Sequence, residues 1–365
     1  MKVGFIINPI AGMGGSVGLK GTDGEETLKE AISRGARPIA QVRAEHAARG
    51  LKDLAGFEYL TCSGAMGASV LTKAGLLHKV VYVAHDGTTR TDTMQAVKVF
   101  MEQQVDLIVF AGGDGTARDI LDAVDQMVPV LGIPAGVKMQ SAVFAQTPEE
   151  IASAIRAFED SRATREAEVV DVDEAGFRDG RIVAHLYGYV RVPDDSEHLQ
   201  ASKQAYHGGS ADDESEELGH FMANSTEEGT AYILGPGSTV AAIARALGLE
   251  KTLLGVDVIL DGKLERVDAS EKDLLKFLSE TRSAKIVVTP IGRQGFIFGR
   301  GNQQISADVI RKVGVENVIV IATPTKLKDT QALRVDTGSP ELDRAFKPRM
   351  RVVTGYKRRR LISVV

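Results

Sequence analysis

Cysteine is almost absent from this sequence. Cys62 is the single one among 365 residues, which excludes an internal disulfide framework and a cysteine-rich zinc site and fits a reducing cytoplasm. Long apolar runs are missing as well: none approaches the roughly 18 residues of a membrane span, so no membrane partner is expected. The first segment, MKVGFIINPIAG, carries one lysine and a short apolar run closed by Asn8-Pro9. It reads as a first core strand rather than a signal peptide. Charge of one sign is not in excess, with 44 Lys and Arg against 49 Asp and Glu for a net charge of −5, which argues against nucleic acid as a partner. The terminal GYKRRRL is locally basic and reads as a solvated strand face, with an anion contact as the sharper alternative. Two phosphate-binding signatures are absent. NPIAGMGGSVG, residues 8 to 18, is not G-x-G-x-x-G because Val17 stands where the third glycine would be, and no G-K-[ST] occurs anywhere.

What remains is an ordinary globular composition, 43% hydrophobic and 25% charged, on a chain long enough for two domains and a large core. Short β-rich runs alternate with helical patterns. Lys2–Ile7, Tyr59–Thr61, Lys79–Ala84, Asp106–Ala111 and Val130–Ile133 read as buried strands. Helical stretches are expected over Glu25–Arg34, Ala65–Ala74, Met94–Glu102 and Ala117–Val124; in the last, Ala117, Ile120, Leu121 and Val124 share one face. This alternation predicts βαβ units and a parallel sheet covered on both sides. A helix over Pro148–Phe158, a run from Glu166 to Val172 and a strand or hairpin arm over Arg181–Val192 lead out of it. Residues 193 to 217 are polar and aperiodic, which predicts a flexible insertion or a lid. From Thr230 the alternation resumes.

The strand–helix junctions hold the chemistry. FAGGDGTARDI, residues 110 to 120, places Gly112, Gly113, Gly115 and Thr116 at a helix start, where unpaired N–H groups and the dipole favour an anion. Glycines there allow close backbone approach. Asp114 is the odd member, because a carboxylate repels phosphate. Three roles would justify it there, namely capping the helix, taking a proton or holding a metal. Asn8 and Gly12 belong to the glycine loop after the first strand. Gly235, Gly237, Ser238 and Thr239 form a further strand–glycine–helix junction. TPIGRQGFIFGRGNQQIS, residues 289 to 306, adds glycines together with Arg293, Arg300 and Asn302; the two arginines are candidates for charge on the phosphates, or for surface ion pairs. In HDGTTRTDT, Asp92 and Thr93 either cap a helix or bind a ribose or amide. In a parallel sheet such loops gather at the carboxyl edge of the strands, and together they point to a phosphorylated ligand.

GGDGT at 112 to 116, the Asn-Pro glycine loop and LGIPAG at 131 to 136 together resemble the NAD kinase and diacylglycerol kinase superfamily. The longer strings GGDGTARDI, GIPAGVKMQSAVFA, YILGPGST, TPIGRQGFIFGRGNQQIS and LRVDTG are similar to the ATP-NAD kinase-like family that includes the acetoin-catabolism X-type proteins, over nearly the whole chain. The resemblance implies a Rossmann-like nucleotide-binding domain over residues 1–165. A second domain of mixed strands and helices over 166–365, carrying the insertion 193–217, would complete the cleft. It implies phosphoryl transfer from ATP or polyphosphate to the 2′-hydroxyl of NAD, with Mg²⁺, in a homo-oligomer handling small nucleotides. Asp114 matches the acidic residue taken as the base. Gly112, Gly113, Gly115 and Thr116 match the nucleotide-phosphate loop, and Asn8 and Gly12 match the Asn-Pro loop. Gly235 to Thr239 looks like the loop that touches the dinucleotide, though shorter and without its usual Thr-Pro-Thr opening; no counterpart of the family's Asn-Glu pair is found. Two alternatives stay open on the same loops: a kinase for another small alcohol or lipid, and a non-catalytic nucleotide sensor.

Overall fold

The computed structural model describes residues 1–19, 25–85, 87–124, 128–137, 139–172, 184–200, 210–291 and 294–365. The chain falls into two compact units, Met1–Gly14 with Lys20–Ser202, and Gly15–Leu19 with Lys203–Val365.

In the first unit β1 (Lys2–Ile7), β2 (Glu58–Cys62), β3 (His78–Tyr82), β4 (Leu107–Gly112) and β5 (Val130–Pro134) form a parallel sheet in the order β3-β2-β1-β4-β5. The order reverses at β1, and ligands in such sheets bind beyond the strand carboxyl ends at that point. Strands β1 and β4 are apolar and buried almost throughout, as a sheet covered on both faces requires. Their register runs from Val3↔Leu107 to Ile7↔Ala111, so both strands deliver their loops at one level.

The covering helices are α1 (Glu25–Ser33), α2 (Ile39–Leu51), α3 (Ala68–Lys73), α4 (Arg90–Glu102), α5 (Asp114–Leu121) and α6 (Ile151–Ser161). Helix α2 is not among the expected elements, because its inward stripe is mostly alanine: Ala40, Ala44, Ala47, Ala48 and Leu51 are buried at helical spacing. The helix expected over Ala65–Ala74 is broken. A 3₁₀ turn, Gly64–Met66, precedes Gly67 at φ +154°, and only then does α3 begin. A Cβ on Gly67 would lie 2.1 Å from Thr61 Oγ1, whose hydroxyl donates to Phe5 O at 2.7 Å. Strands β6 (Thr164–Val172) and β7 (Ala184–Pro193) make an antiparallel ribbon against α5; a Cβ on Gly188 would lie 2.8 Å from Leu121 Cδ2. Residues 181–183 of the expected arm lie outside the described residues.

The segment read as a flexible insertion is structured at both ends. Asp195 Oδ1 accepts the N–H groups of Glu197 and His198, each at 3.0 Å, closing a turn after β7. Residues 201–209 lie outside the described residues, and the rest belongs to α7 (Ser210–Ala223). The first half of α7 is acidic, favourable at a helix start, whereas Leu218, Met222 and Ala223 carry its buried contacts. That leaves residues 210 to 217 with no apolar period to read.

The second unit holds β8 (Ala231–Leu234), β9 (Asp257–Leu260), β10 (Lys263–Arg266), β11 (Ala284–Val288), β13 (Val318–Ile321), β15 (Arg349–Gly355) and β16 (Arg358–Ser363) in one sheet, ordered β10-β9-β8-β11-β13-β15-β16. The central β8, β11, β13 and β15 are parallel, and β9, β10 and β16 are antiparallel additions. Strands β12 (Phe296–Phe298) and β14 (Arg334–Val335) pair separately. Period-two alternation serves two cores: Ile286, Val288 and Val320 face one, while Val287, Ile321 and Val353 face the other with α7 and α8 (Ser238–Ala246). The fold class is therefore as expected, a Rossmann-like parallel α/β unit and a mixed α/β unit. Cys62 is buried and unpaired by disulfide, and burial, with Asp92 nearby, pushes its thiol up to about 12. Among the described residues no helix is long and apolar enough to cross a membrane.

Candidate functional site

At the carboxyl edge of the first sheet three loops meet backbone to backbone. Gly12, after β1, has φ +76°, and a Cβ there would lie 1.9 Å from Ala135 O after β5. Gly113, after β4, would place a Cβ 3.0 Å from Gly136 Cα, and the converse distance is 2.7 Å. A Cβ on Gly112 would strike Thr116 Oγ1 at 2.4 Å. The missing side chains of Gly12, Gly112 and Gly113 thus serve loop packing first. Asn8 draws the first two loops together: its Nδ2 donates to Thr116 Oγ1 at 2.9 Å, and its N–H donates to Ala111 O at 2.9 Å. Thr116 is therefore anchored from β1 rather than acting as a free cap.

Asp114 is not the N-cap residue of its helix. Gly113 is the N-cap residue, and Asp114 opens α5 as its first residue. The carboxylate reaches the loop after β5, where Oδ2 accepts the Gln140 N–H at 2.7 Å and Oδ1 accepts the Ser141 N–H at 2.9 Å. Asp114 is 9% exposed, while Gly113 and Gly115 on either side are half-buried. The first turn of α5, whose N–H groups have no partner within the helix, is thus reachable through the two glycines. Ser141 is itself held, since its Oγ accepts the Val170 N–H of β6 at 3.0 Å.

Asp92 has a different surrounding. It stands in the first turn of α4, where Oδ2 accepts from Thr89 N at 2.9 Å and Thr89 Oγ1 at 3.1 Å. Its Oδ1 accepts from Tyr82 OH at 3.0 Å and pairs with His85 Nδ1 at 2.8 Å. Burial alone would push this carboxyl up, but the hydrogen bonds from His85, Thr89 and Tyr82 outweigh it and hold it well below the usual carboxylate range. Thr93 is buried beside it. The bonds to Thr89 serve the start of α4. Asp86 lies outside the described residues.

In the second unit, Gly235 to Thr239 link β8 to α8. Gly235 N donates to Val287 O at 2.9 Å and Gly237 N to Leu253 O at 2.8 Å, while Ser238 is exposed and Thr239 is buried. Arg300 is 2% exposed; its Nη1 pairs with Asp336 Oδ2 at 2.8 Å, and its guanidinium lies 4.5 Å over the Phe296 ring. Asn302 accepts from Gly299 N at 3.1 Å and donates to Ile297 O at 2.8 Å. Both side chains thus hold the turn after β12 together. Arg293 lies outside the described residues. Among the described residues there is no group of three or more His, Cys, Asp or Glu able to hold a metal ion.

Two features of the sites are not readable from sequence. The Gln140 and Ser141 N–H groups act through backbone, which no residue type announces. Lys326 donates to Thr289 Oγ1 at 3.0 Å, and only the Thr-Pro-Thr-Lys helix start hints that this lysine is fixed.

Two family models match the chain: the ATP-NAD kinase N-terminal domain over residues 3–163 and the ATP-NAD kinase C-terminal domain over residues 227–364. A search of curated proteins returns no match.

Proposed function

The chain belongs to the ATP-NAD kinase family, and on that premise we propose that it transfers a phosphoryl group from ATP, or from polyphosphate, to the ribose 2′-hydroxyl of NAD, giving NADP. The strings GGDGTARDI and TPIGRQGFIFGRGNQQIS support a place beside the acetoin-catabolism X-type proteins within that family.

The observation that carries this reading is the Asp114 carboxylate at the start of α5, between two half-buried glycines. Asp114 is the proposed base. The backbone of the 140–141 loop holds the carboxylate through the N–H groups of Gln140 and Ser141, and from that position it is proposed to accept the acceptor hydroxyl. As the hydroxyl oxygen bonds to phosphorus and the bond to the departing ADP or shortened polyphosphate breaks, the hydroxyl proton passes to Asp114. Such a transfer depends on positioning and electrostatics more than on covalent help.

Gly113 and Gly115 supply backbone N–H groups for phosphate oxygens, and Asn8, Gly12, Gly112 and Thr116 keep that turn in shape. Asp92 and Thr93 fix the neighbouring start of α4. In the second unit Gly235, Gly237, Ser238 and Thr239 are proposed to contact nucleotide, while Arg300 and Asn302 keep their loop in shape. Mg²⁺ is commonly held by nucleotide phosphates with one or two carboxylates, and it is proposed to arrive with ATP. When bound it would neutralise charge on the phosphates.

One observation favours a second reading. The bonds from Gln140 and Ser141 give the Asp114 charge a structural use, so a nucleotide sensor without transfer would also retain it. Incubating the full chain with NAD⁺ and ATP-Mg²⁺, or polyphosphate, and following NADP⁺ separates the two. Product supports the kinase; saturable nucleotide binding with no product from either donor supports the sensor.

A further inference from the structure

Among the described residues Lys326 is a half-buried cation without a counter-charge. It lies on α11 (Pro324–Lys328, following α9 Glu271–Glu280 and α10 Ala307–Val313), whose start is fixed by Thr323 Oγ1 accepting the Lys326 N–H at 3.1 Å. Its ammonium donates to Thr289 Oγ1 at 3.0 Å, and among the described residues no carboxylate stands within ion-pair distance of it. Glu214, on the neighbouring α7, is engaged elsewhere: it accepts from Thr325 N at 3.1 Å and Thr325 Oγ1 at 3.0 Å. Lys328, the other cation of this short helix, is exposed. Burial pushes the Lys326 ammonium down to about 8. An ammonium has three donors, and one withdrawn from water is ordinarily matched by an anion. A single threonine hydroxyl does not match it.

The place of this lysine in the fold says which anion to look for. Strands β8, β11 and β13 are neighbouring and parallel, so the residues that follow them share one edge. Gly235 to Ser238 follow β8, Thr289 follows β11 and Thr323 follows β13. Gly237, at φ +116°, approaches the same threonine that holds Lys326: a Cβ on it would lie 3.1 Å from Thr289 Cγ2. Ser238 is exposed as the first residue of α8, whose first-turn N–H groups have no partner within the helix. A cation, a hydroxyl and a glycine-led helix start therefore converge through Thr289 at the carboxyl edge of the second sheet.

We propose that Lys326 and Thr289, with the backbone at Gly237 and Ser238, form a phosphate-binding site in the second unit that takes the diphosphate part of a nucleotide. The proposal rests on the reading of the Gly235–Thr239 loop as nucleotide-contacting and adds the residue that supplies the positive charge. Lys326 touches no reacting atom in this scheme; it binds and orients.

Inorganic pyrophosphate is the probe, titrated into the full chain by calorimetry at pH 8.0 in two buffers of different ionisation heat. Wild type should bind with more proton uptake than the Lys326→Met variant, because an amine whose ammonium is lowered toward about 8 is driven to its charged form beside an anion. Lys326→Met should bind roughly 10- to 100-fold more weakly, the worth of a charge-assisted hydrogen bond, and lack the lysine's share of the uptake. Lys326→Arg should restore much of the affinity without that share, since arginine stays charged. Labelling the wild-type protein with an amine-acylating reagent needs no variant, and pyrophosphate should protect Lys326 from it. No pyrophosphate binding by wild type, unchanged affinity in Lys326→Met, or labelling of Lys326 indifferent to pyrophosphate would each overturn the site. NADP⁺ formation by wild type is read separately. If it proceeds while the pyrophosphate results fail, this inference falls and the kinase reading stands; a pyrophosphate signature without NADP⁺ would uphold the site and overturn the kinase.

Discussion

Asn8 and Thr116, 108 residues apart in sequence, are joined by a hydrogen bond of 2.9 Å from Nδ2 to Oγ1. The bond ties the loop after β1 to the first turn of α5, across the point where the strand order reverses. Removing it should therefore loosen the turn that holds Asp114. Asn8→Ala and Thr116→Val are each expected to cost about 1 kcal/mol in denaturant unfolding. The double variant should cost clearly less than their sum, because both remove one interaction. Full additivity would show that the two side chains act separately.

Gly12 and Gly35 separate two reasons for glycine. Both have positive φ, but a Cβ on Gly12 would lie 1.9 Å from Ala135 O, whereas Gly35 has nothing within 4 Å. Gly35→Ala should lose about 1 kcal/mol from the left-handed backbone alone. Gly12→Ala adds a steric overlap worth about 1–3 kcal/mol, so its unfolding midpoint should fall well below that of Gly35→Ala. Equal midpoints would contradict the loop-on-loop packing.

Asp92 should make stability depend on acid. Its carboxyl titrates well below the usual range in the folded protein, against roughly 3.9 when unfolded. The stabilisation is thus fully present above the unfolded value and fades as pH falls through the lower folded value. Asp92→Asn should be less stable than wild type at pH 7, and the gap should narrow steadily below about pH 4. A gap that stays constant down to about pH 2 would show that the hydrogen bonds do not favour the charged form.

Arg300 and Asp336 form an ion pair in which both side chains are nearly inaccessible. Arg300→Met or Asp336→Leu alone should cost about 3–5 kcal/mol, because each takes away one half of a buried ion pair, whereas the double change should recover much of the loss. Were Arg300 instead a phosphate ligand, Arg300→Met would leave stability nearly intact and weaken nucleotide binding. Unfolding of the three variants decides between these roles.

The first sheet was legible because β1 and β4 are near-continuous apolar runs, closed by Asn-Pro and Gly-Gly. Helix α2 escaped because alanine fills its buried stripe, and alanine is a weak marker of an apolar face. The expected helix after β2 broke at Gly67 because Thr61, on the strand before it, occupies the space a Cβ would need. At the site, the spacing around Asp114 located the loop correctly at a strand–helix junction. It could not reveal that Gln140 and Ser141 hold the carboxylate, since those contacts come from backbone brought in by β5. Arg300 and Lys326 invert what charge alone suggests. Among the described residues the arginine in the glycine-rich motif is matched by Asp336, and the lysine in a plain Thr-Pro-Thr-Lys turn has only a hydroxyl. Residue type carries the charge of a side chain but not its counter-charge.

The most direct test of kinase chemistry at Asp114 is NADP⁺ formation from NAD⁺ by wild type and Asp114→Asn side by side, with nucleotide affinity and unfolding measured on the same preparations. Asparagine can keep one of the two backbone bonds but cannot take a proton. The expected result is product from wild type and turnover lower by roughly 10²- to 10⁴-fold in the variant, with nucleotide affinity largely kept and stability reduced by only about 1–3 kcal/mol. Near-wild-type turnover by Asp114→Asn would contradict the role of Asp114 as the base and leave it only the role of holding the loop at Gln140 and Ser141.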